Sequence, residues 1–378
     1  MNKKLLTFYI ASVFLFVGFL FKDRILRIFY APTNFSVKEG VTVNQVESEP
    51  QDNASVVENL TIPWELVFLP NGEMLITERP GNLLKIGKDR MAIKVDGVRN
   101  TGEGGLLGLV LHPNFTDNGY IYLYFTSSVS GRVSNRVVRY KLIDDSLSDQ
   151  KIIVDGIPGA AKHDGGRVKF GPDGLLYITT GDSQNSNLSQ DINSLAGKIL
   201  RVTDSGAIPT DNPFGNAVYS YGHRNVQGIA WDNLGRLWAT EHGRSGVQSG
   251  LDEINLIEKG KNYGWPTIQG DQTQGGMLAP VINSGANETW APSGIVFADG
   301  KLFWAGLRGE SLYEAKINGS NLVNLKANFR QEFGRLRTVV VGPDGYFFIL
   351  TNNTDGRGNP RLGDDKIIRV NPEIFEQS

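Results

Sequence analysis

GPDGLLYITTGD (171–182) and GPDGYFFILTNN (342–353) are two copies of one phrase, a turn with Asn or Asp and Gly followed by an alternating apolar strand. Further copies stand at residues 69–81, 116–127, 232–243 and 297–309. The turn glycines of successive copies lie 45 to 65 residues apart: Gly72, Gly119, Gly174, Gly235, Gly300 and Gly345. A strand phrase with this long period is typical of a β-propeller with one blade per copy. The sequence therefore predicts an all-β fold, a six-bladed β-propeller over residues 59–372.

The composition agrees with many short strands and excludes one class of partner. Glycine accounts for 45 of the 378 residues and is spread along the chain, which indicates many tight turns. The formal net charge is −2 at pH 7, so we expect no nucleic-acid partner. Cysteine is absent, which is compatible with an oxidising compartment.

The first 35 residues have the pattern of a membrane-targeting segment. MNKK is followed by the apolar run LLTFYIASVFLFVGFLF (5–21) and then by KDRILR. A membrane-spanning helix needs about 20 apolar residues, and no small-x-small cleavage site follows the run. We therefore expect a signal anchor, an uncleaved hydrophobic helix, within residues 1–35, in preference to a cleaved signal peptide. A polar linker over 36–58 would then join this membrane anchor to an exported propeller on the periplasmic or extracellular face.

One hairpin of the predicted propeller carries a His and an Asp at its two ends. In HDGGRVKFGPDGLLYITTGD, His163 and Asp182 flank two short strands joined by a P-D-G turn. Because antiparallel pairing brings the ends of a hairpin together, Asp182 can hydrogen-bond one ring nitrogen of His163 and leave the other as a general base. His112 ends the apolar strand of GLVLHPNF, and we interpret it as structural.

The loop YGHRNVQGIAW concentrates polar side chains ahead of a strand. Arg224 offers a bidentate fork for a carboxylate or a quinone oxygen, and Asn225 and Gln227 offer amides. The other interpretation is a polar loop held by its own hydrogen bonds.

Three further arginines, Arg308, Arg335 and Arg337, follow in GLRGE and EFGRLRTV. Residues 335 and 337 alternate along a strand and therefore point to one face. Two like charges on one face are costly unless an anion lies between them, which favours an anionic ligand. The Gly-rich turn EHGRSG and the acids Asp252 and Glu253 supply oxygen ligands of the kind that calcium prefers.

Several of these motifs together resemble a known family. GEGGLLGLVLHPNF, the His163 hairpin, GKILRV, GHRNVQG, DEINLIEKGKNYGWP, APSGIVF and GRLRTVVVGPDGY occur in this order over residues 60–372. The chain resembles the soluble pyrroloquinoline quinone (PQQ)-dependent sugar dehydrogenases, the glucose/sorbosone dehydrogenase family. The resemblance implies oxidation of the anomeric carbon of an aldose sugar to a lactone, with hydride transfer to PQQ bound with Ca²⁺, and an external electron acceptor.

The resemblance also implies roles for individual residues. His163 matches the general base, Asp182 its orienting partner, and Glu103 a position that contacts the sugar. The cofactor-binding positions are Arg224, Asn225, Gln227, Arg308, Arg335 and Arg337, and the calcium positions are Gly243, Arg244, Glu253 and Tyr263. This sequence departs from the family pattern at three of these positions: Glu103 stands where Gln is frequent, Arg308 where the glucose enzymes carry Lys, and Arg244 where Pro is common.

Two alternatives belong to other functional classes. Propellers of this lineage also serve as non-catalytic binding modules, because fold does not imply function. The joint presence of His163, Asp182, Arg224, Arg335 and Arg337 favours the enzyme. A calcium propeller that hydrolyses a lactone or phosphoester needs clustered Asp, Glu and Asn ligands, and few are visible in this sequence.

Overall fold

The computed structural model describes residues 42–43, 53–129, 131–245 and 249–376. The strands of this part of the chain form six sheets, five with four strands and one with five. Two strands precede the repeated blades: β1 (Thr42–Val43) and β2 (Asn53–Val57).

The first three blades follow in chain order, and their strands are antiparallel neighbours. Their strands are β3 (Pro63–Phe68), β4 (Met74–Glu78), β5 (Asn82–Ile86) and β6 (Arg90–Lys94); β7 (Leu106–Leu111), β8 (Tyr120–Val129), β9 (Arg132–Ile143) and β10 (Ser146–Pro158); β11 (Val168–Phe170), β12 (Leu176–Thr179), β13 (Lys198–Val202) and β14 (Val218–Tyr221).

The other three blades complete the ring. Their strands are β15 (Val226–Trp231), β16 (Leu237–Glu241), β17 (Glu253–Ile257) and β18 (Ile282–Asn283); β19 (Pro292–Ala298), β20 (Lys301–Gly306), β21 (Ser311–Asn318) and β22 (Asn321–Asn328); β23 (Leu336–Val341), β24 (Phe347–Thr351) and β25 (Ile367–Val370), with β2 as fourth strand. The helical elements of the described chain are short: α1 (Phe115–Asn118) and two 3₁₀ turns, Ser186–Ser189 and Pro372–Phe375. The predicted six-bladed β-propeller is confirmed.

The six repeated glycines occupy equivalent positions, in the turn between the first and second strand of each blade. All six have φ between 67° and 85°, in the left-handed region that a residue with a Cβ adopts only at a cost. The recurrence of Gly in the sequence therefore reflects one backbone requirement repeated in every blade.

The N-terminal side of the propeller begins earlier than residue 59. Asn53–Val57, which the sequence analysis placed in the linker, pairs antiparallel with β25, and Thr42–Val43 pairs parallel with β22. Strand β2 closes the last blade and joins the two ends of the ring, because β25 otherwise presents an unpaired edge. Local sequence gave no signal for it, since NASVV is short and polar at its start.

The central channel is filled by charged side chains. Arg167 is buried, forms an ion pair with Glu65, and donates from Nε to the Gln227 carbonyl at 2.8 Å. Its guanidinium also lies 4.2 Å from the ring of Trp64. A buried ion pair is tolerated when further hydrogen bonds satisfy it, as the contacts of Arg167 with Gln227 and Thr338 do here.

The anchor predicted at residues 5–21 lies outside the described residues. Within the described ranges, no helix has the length and apolar character required to cross a membrane.

Candidate functional site

His163 and Asp182 meet at the end of the hairpin formed by β11 and β12. The Nδ1 atom of His163 lies 2.7 Å from Oδ1 of Asp182. His163 has φ 64°, a conformation that is unusual for a residue with a side chain. Gly181 allows this approach, because a Cβ there would stand 1.9 Å from the carbonyl oxygen of His163. His163 and Asp182 therefore form a hydrogen-bonded pair, here called the dyad.

Asp182 is held in its charged form. Burial favours the neutral acid, but the hydrogen bond and charge of His163 keep the pKa of Asp182 below its ordinary value. The carboxylate also accepts the backbone N–H of Gln184 at 2.8 Å and the indole N–H of Trp265 at 2.9 Å. Because an ionised carboxylate can only accept, Nδ1 of His163 carries the proton and donates to Asp182, which leaves Nε2 as the ring atom able to accept a proton.

A cleft opens beside this dyad at one end of the propeller channel. Its walls come from loops that precede the first strand of a blade or follow its second strand, at the opposite end from the repeated glycine turns. The charged and His residues among the lining are Glu103, Lys162, His163, Arg224, His242, Arg244, Asp252, Arg308, Arg335 and Arg357. Cationic side chains outnumber carboxylates there, so the cleft suits an anion.

Glu103 lies against the dyad. One carboxylate oxygen accepts the backbone N–H of His163 at 2.9 Å, and the other pairs with Nη1 of Arg357 at 2.7 Å. Burial works against ionisation, yet the charge of Arg357 lowers the pKa of Glu103 to about 2. The predicted sugar-contacting residue is thus an anion neutralised by a cation from another blade.

The predicted cofactor arginines divide into two groups. Arg224, Arg308 and Arg335 line the cleft. Arg337 lies beneath it, where its Nη1 donates to the Gln227 side chain at 2.8 Å and its Nη2 to Asn352 at 2.9 Å.

The two amides of the Arg224 loop are also below the lining rather than in it. Gln227 accepts the hydrogen bond of Arg337, and the Asn225 side-chain oxygen accepts the N–H of Gly165 at 3.0 Å. Arg224 thus lines the cleft, while its neighbours Asn225 and Gln227 hold adjacent loops in place.

The expected anion between Arg335 and Arg337 is supplied in part by the chain. Asp355, which follows β24, accepts a hydrogen bond from Nη2 of Arg335 at 2.9 Å, and both partners are buried. The Arg335 charge is accordingly compensated on one side, while the residue still lines the cleft.

Several buried nitrogen atoms at the cleft lack a hydrogen-bond partner among the described residues. They are Nε of Arg224, Arg244 and Arg308 and Nε2 of His242; beneath the cleft, Nε of Arg337 and Nδ2 of Asn225 share this property. Buried polar atoms normally find partners, so these nitrogen atoms are available to water or to a bound ligand.

The four predicted calcium residues occupy two neighbouring spaces. Gly243 and Arg244 line the main cleft, whereas Glu253 and Tyr263 line a small enclosed space behind it that Gly243 also borders. The Tyr263 hydroxyl donates to the Leu256 carbonyl at 2.7 Å, so it is engaged within the blade. Burial, with the charge of Glu241, raises the pKa of Glu253 to about 8.

The acid at position 252 is structural. The two carboxylate oxygens of Asp252 accept hydrogen bonds at 2.7 to 2.9 Å from the backbone of Gly243, Trp290 and Ala291 and from the hydroxyl of Thr289. Its acceptor capacity is used to shape the loop after β16. Among the described residues, no group of three or more His, Asp or Glu side chains is arranged to hold a metal ion.

Sequence reasoning missed several residues of the site. Trp265, Arg357 and Asp355 contact predicted residues from distant loops, and His242 lines the cleft. Burial lowers the pKa of His242 to about 3, so its ring is neutral. A usable signal existed for His242, which follows a repeated strand. His112 is structural as predicted, since its Nδ1 accepts the N–H of Asn114 at 3.0 Å.

Comparison with known proteins identifies the family. The sequence profile of the family described as Glucose / Sorbosone dehydrogenase matches residues 60–368. The chain belongs to the glucose/sorbosone dehydrogenase family. The predicted resemblance and the predicted class of enzyme, a sugar dehydrogenase, are thereby confirmed.

The chain is also similar to several named proteins and solved structures. The aldose sugar dehydrogenase YliI of Escherichia coli is 34% identical, over 80% of this chain and 91% of its own length. Quinoprotein glucose dehydrogenase B of Acinetobacter calcoaceticus is 31% identical, over 65% of this chain and 58% of its own length. The solved PQQ-bound aldose sugar dehydrogenase of Streptomyces coelicolor is 39% identical, with a TM-score of 0.78, covering 85% of this chain and 99% of that one.

Proposed function

We propose that this protein oxidises the anomeric carbon of an aldose to a lactone, with PQQ and Ca²⁺ as cofactors and His163 as general base. The observation that carries the proposal is the 2.7 Å His163–Asp182 contact at the wall of a cationic cleft. The PQQ-bound relative from Streptomyces supports the choice of cofactor.

The donor set at the cleft fits PQQ, an anion with several carboxylates and quinone oxygens. Arg224, Arg308 and Arg335 present guanidinium groups to one space, and planar forks suit carboxylates. The Nε–H groups of Arg224 and Arg308, which have no partner among the described residues, are donors that such an acceptor-rich ligand can satisfy. Backbone carbonyls of Gly243 and Arg244 would hold the calcium ion, since hard cations prefer oxygen ligands.

The chain's own groups then perform the proton chemistry. Nε2 of His163 takes the proton of the anomeric hydroxyl, while Asp182 keeps Nδ1 protonated and stabilises the imidazolium that forms. The C–H bond of the anomeric carbon breaks, and its electron pair leaves with the hydrogen as hydride. The bond from this carbon to its hydroxyl oxygen becomes the lactone carbonyl. When bound, PQQ would supply the quinone carbon that accepts this hydride, and Ca²⁺ would polarise the quinone carbonyl group.

Glu103 orients the substrate in this scheme. Its carboxylate lies beside the backbone of His163, so a sugar hydroxyl that donates to it is placed next to the base. Arg357 keeps this wall neutral overall, which suits an uncharged sugar.

A dye-reduction assay distinguishes an enzyme from a non-catalytic binding module of the same lineage. Full-length protein is purified free of metal and cofactor, and dye reduction is followed with a panel of aldoses after PQQ and Ca²⁺ are added separately or together. Activity that requires both additions, is lost in His163→Asn and persists in the matched variant His112→Asn supports the proposal. Dye reduction that does not change when PQQ is added, together with no PQQ binding by equilibrium dialysis, would leave the binding module as the better interpretation.

We also propose export and membrane attachment through residues 5–21. The apolar length of this run and its basic N-terminal flank support the proposal. Fractionation of cells producing the full chain, beside a variant that lacks residues 1–35, tests it. Recovery of the full chain in the soluble cytoplasmic fraction would contradict it.

A further inference from the structure

Trp265 lines the space beside the dyad together with His163, Asp182 and Arg224, on the connection between β17 and β18, and the proposed function does not use it. We infer that Trp265 is a positioning residue for the base, which acts by holding Asp182 in the orientation and charge state that His163 requires. The inference rests on the proposed function for its kinetic consequences, but its structural content is independent of any substrate.

The hydrogen bonds of Asp182 give Trp265 a specific task. The Oδ1 atom of Asp182 accepts hydrogen bonds from Nδ1 of His163 at 2.7 Å and from the backbone N–H of Gln184 at 2.8 Å. Oδ2 receives the indole Nε1–H of Trp265 at 2.9 Å. The indole therefore fixes the rotation of the carboxylate about its Cβ–Cγ bond, which in turn aims Oδ1 at the imidazole.

Trp265 is itself held firmly. Its backbone N–H donates to the Gly222 carbonyl at 2.8 Å, and its own carbonyl accepts the side-chain amide of Gln190 at 2.6 Å. One face of the ring lies 5.3 Å from the guanidinium carbon of Arg224, within the range of a cation–π contact. The same side chain thus contacts both the orienter of the base and a predicted cofactor arginine.

The hydrogen bond also has an electrostatic effect with a definite sign. A donor to Oδ2 stabilises the carboxylate and spreads its charge away from Oδ1. Removing that donor concentrates negative charge on the oxygen facing His163, and this favours the imidazolium over the neutral ring. The base would then remain protonated, and inactive, up to a higher pH.

Other charged groups act on His163 as well and must stay constant in the test. Glu103 touches its backbone, and His242 and Arg224 lie near enough to interact with the dyad electrostatically. Lys162, Arg244, Arg308, Arg335, Asp252 and Arg357 also face the cleft. The substitution Trp265→Phe changes none of these charges and keeps an aromatic ring beside Arg224.

The experiment compares full-length wild type, Trp265→Phe and the control Trp231→Phe, whose ring lines the space at the opposite end of the channel. In cofactor-free protein, the imidazole of His163 is titrated by NMR; in loaded enzyme, kcat/KM for an accepted aldose is measured against pH. For Trp265→Phe we expect the His163 midpoint and the acid limb of the profile both to rise by about 0.5 to 1 pH unit, with the control unchanged.

A merely structural role gives a different pattern. If Trp265→Phe lowers activity or thermal stability while the His163 midpoint and the acid limb coincide with those of wild type, the inference is overturned. Should the wild type oxidise no aldose, the proposed function fails, but the NMR titration still decides whether Trp265 sets the proton affinity of the dyad.

Discussion

Glu103 and Arg357 form an ion pair of 2.7 Å between two residues that stand 254 positions apart in the chain. Glu103 precedes the first strand of the second blade, and Arg357 follows the second strand of the last blade. The pair closes one wall of the cleft and, through the second Glu103 oxygen, touches the backbone of His163. Glu103, Arg357 and His163, to which we assign the substrate wall and the base, are therefore joined by one chain of hydrogen bonds.

Replacing either Glu103 or Arg357 should change the preference of the protein between charged and neutral sugars. Glu103→Gln removes the carboxylate paired with Arg357 and makes this wall more positive, so kcat/KM for a uronic acid should rise relative to the neutral aldose by about tenfold. Arg357→Gln leaves the Glu103 carboxylate, so an amino sugar should gain by a similar factor. The double variant should restore the neutral preference; equal ratios in all four proteins would show that the pair does not face the substrate.

Asp182→Asn should remove most of the turnover without removing the ligand site. An amide at this position no longer stabilises the imidazolium and can favour the wrong tautomer, so kcat should fall on the order of 100- to 1000-fold. PQQ affinity, measured by equilibrium dialysis, should change less than threefold. A fall in affinity that accounts for the whole loss of activity would assign Asp182 to cofactor binding instead.

Arg335→Lys tests the use of a planar fork in the cleft. Arg335 uses one nitrogen for Asp355 and another for the Leu307 carbonyl, and a lysine cannot meet this geometry while presenting charge to a ligand. We expect PQQ binding to weaken by about 10- to 100-fold. Arg201→Lys, at an arginine paired with Asp173 and Asp211 away from the cleft, is the matched control and should bind PQQ as wild type does.

The pH dependence of the free energy of unfolding should reveal the buried acid Asp164, which follows His163 in the sequence. Burial raises the pKa of Asp164 to about 7 from 3.8, and its Oδ2 has no partner among the described residues. Between these values the folded protein holds a proton that the unfolded chain releases, so this contribution to the free energy of unfolding falls as pH rises from about 4 to about 7, by roughly 2–4 kcal/mol. The free energy of unfolding, measured by urea denaturation across this range, should depend less on pH in Asp164→Asn than in the wild type. The same pH dependence in both proteins would refute the assignment.

Fold and site were predictable to different degrees. Turn glycines such as Gly174 and Gly345 are visible because each hairpin is a local structure, in which residues a few positions apart determine φ and strand alternation. The His163–Asp182 contact could be predicted for the same reason, because the two residues lie at the two ends of one hairpin. Strand β2 was missed because its partner, β25, lies at the far end of the sequence.

The amino-acid sequence by itself determined the propeller, its number of blades, and the residue types available for chemistry, because periodic turns and alternating strands depend on neighbours along the chain. Only the tertiary structure decided which polar residues share a space. It placed Arg335 at the cleft and Arg337 beneath it, engaged Asp252 in the loop after β16, and joined Trp265 to Asp182 and Arg357 to Glu103. These contacts cross between blades and exist only once the ring closes, so no local pattern encodes them.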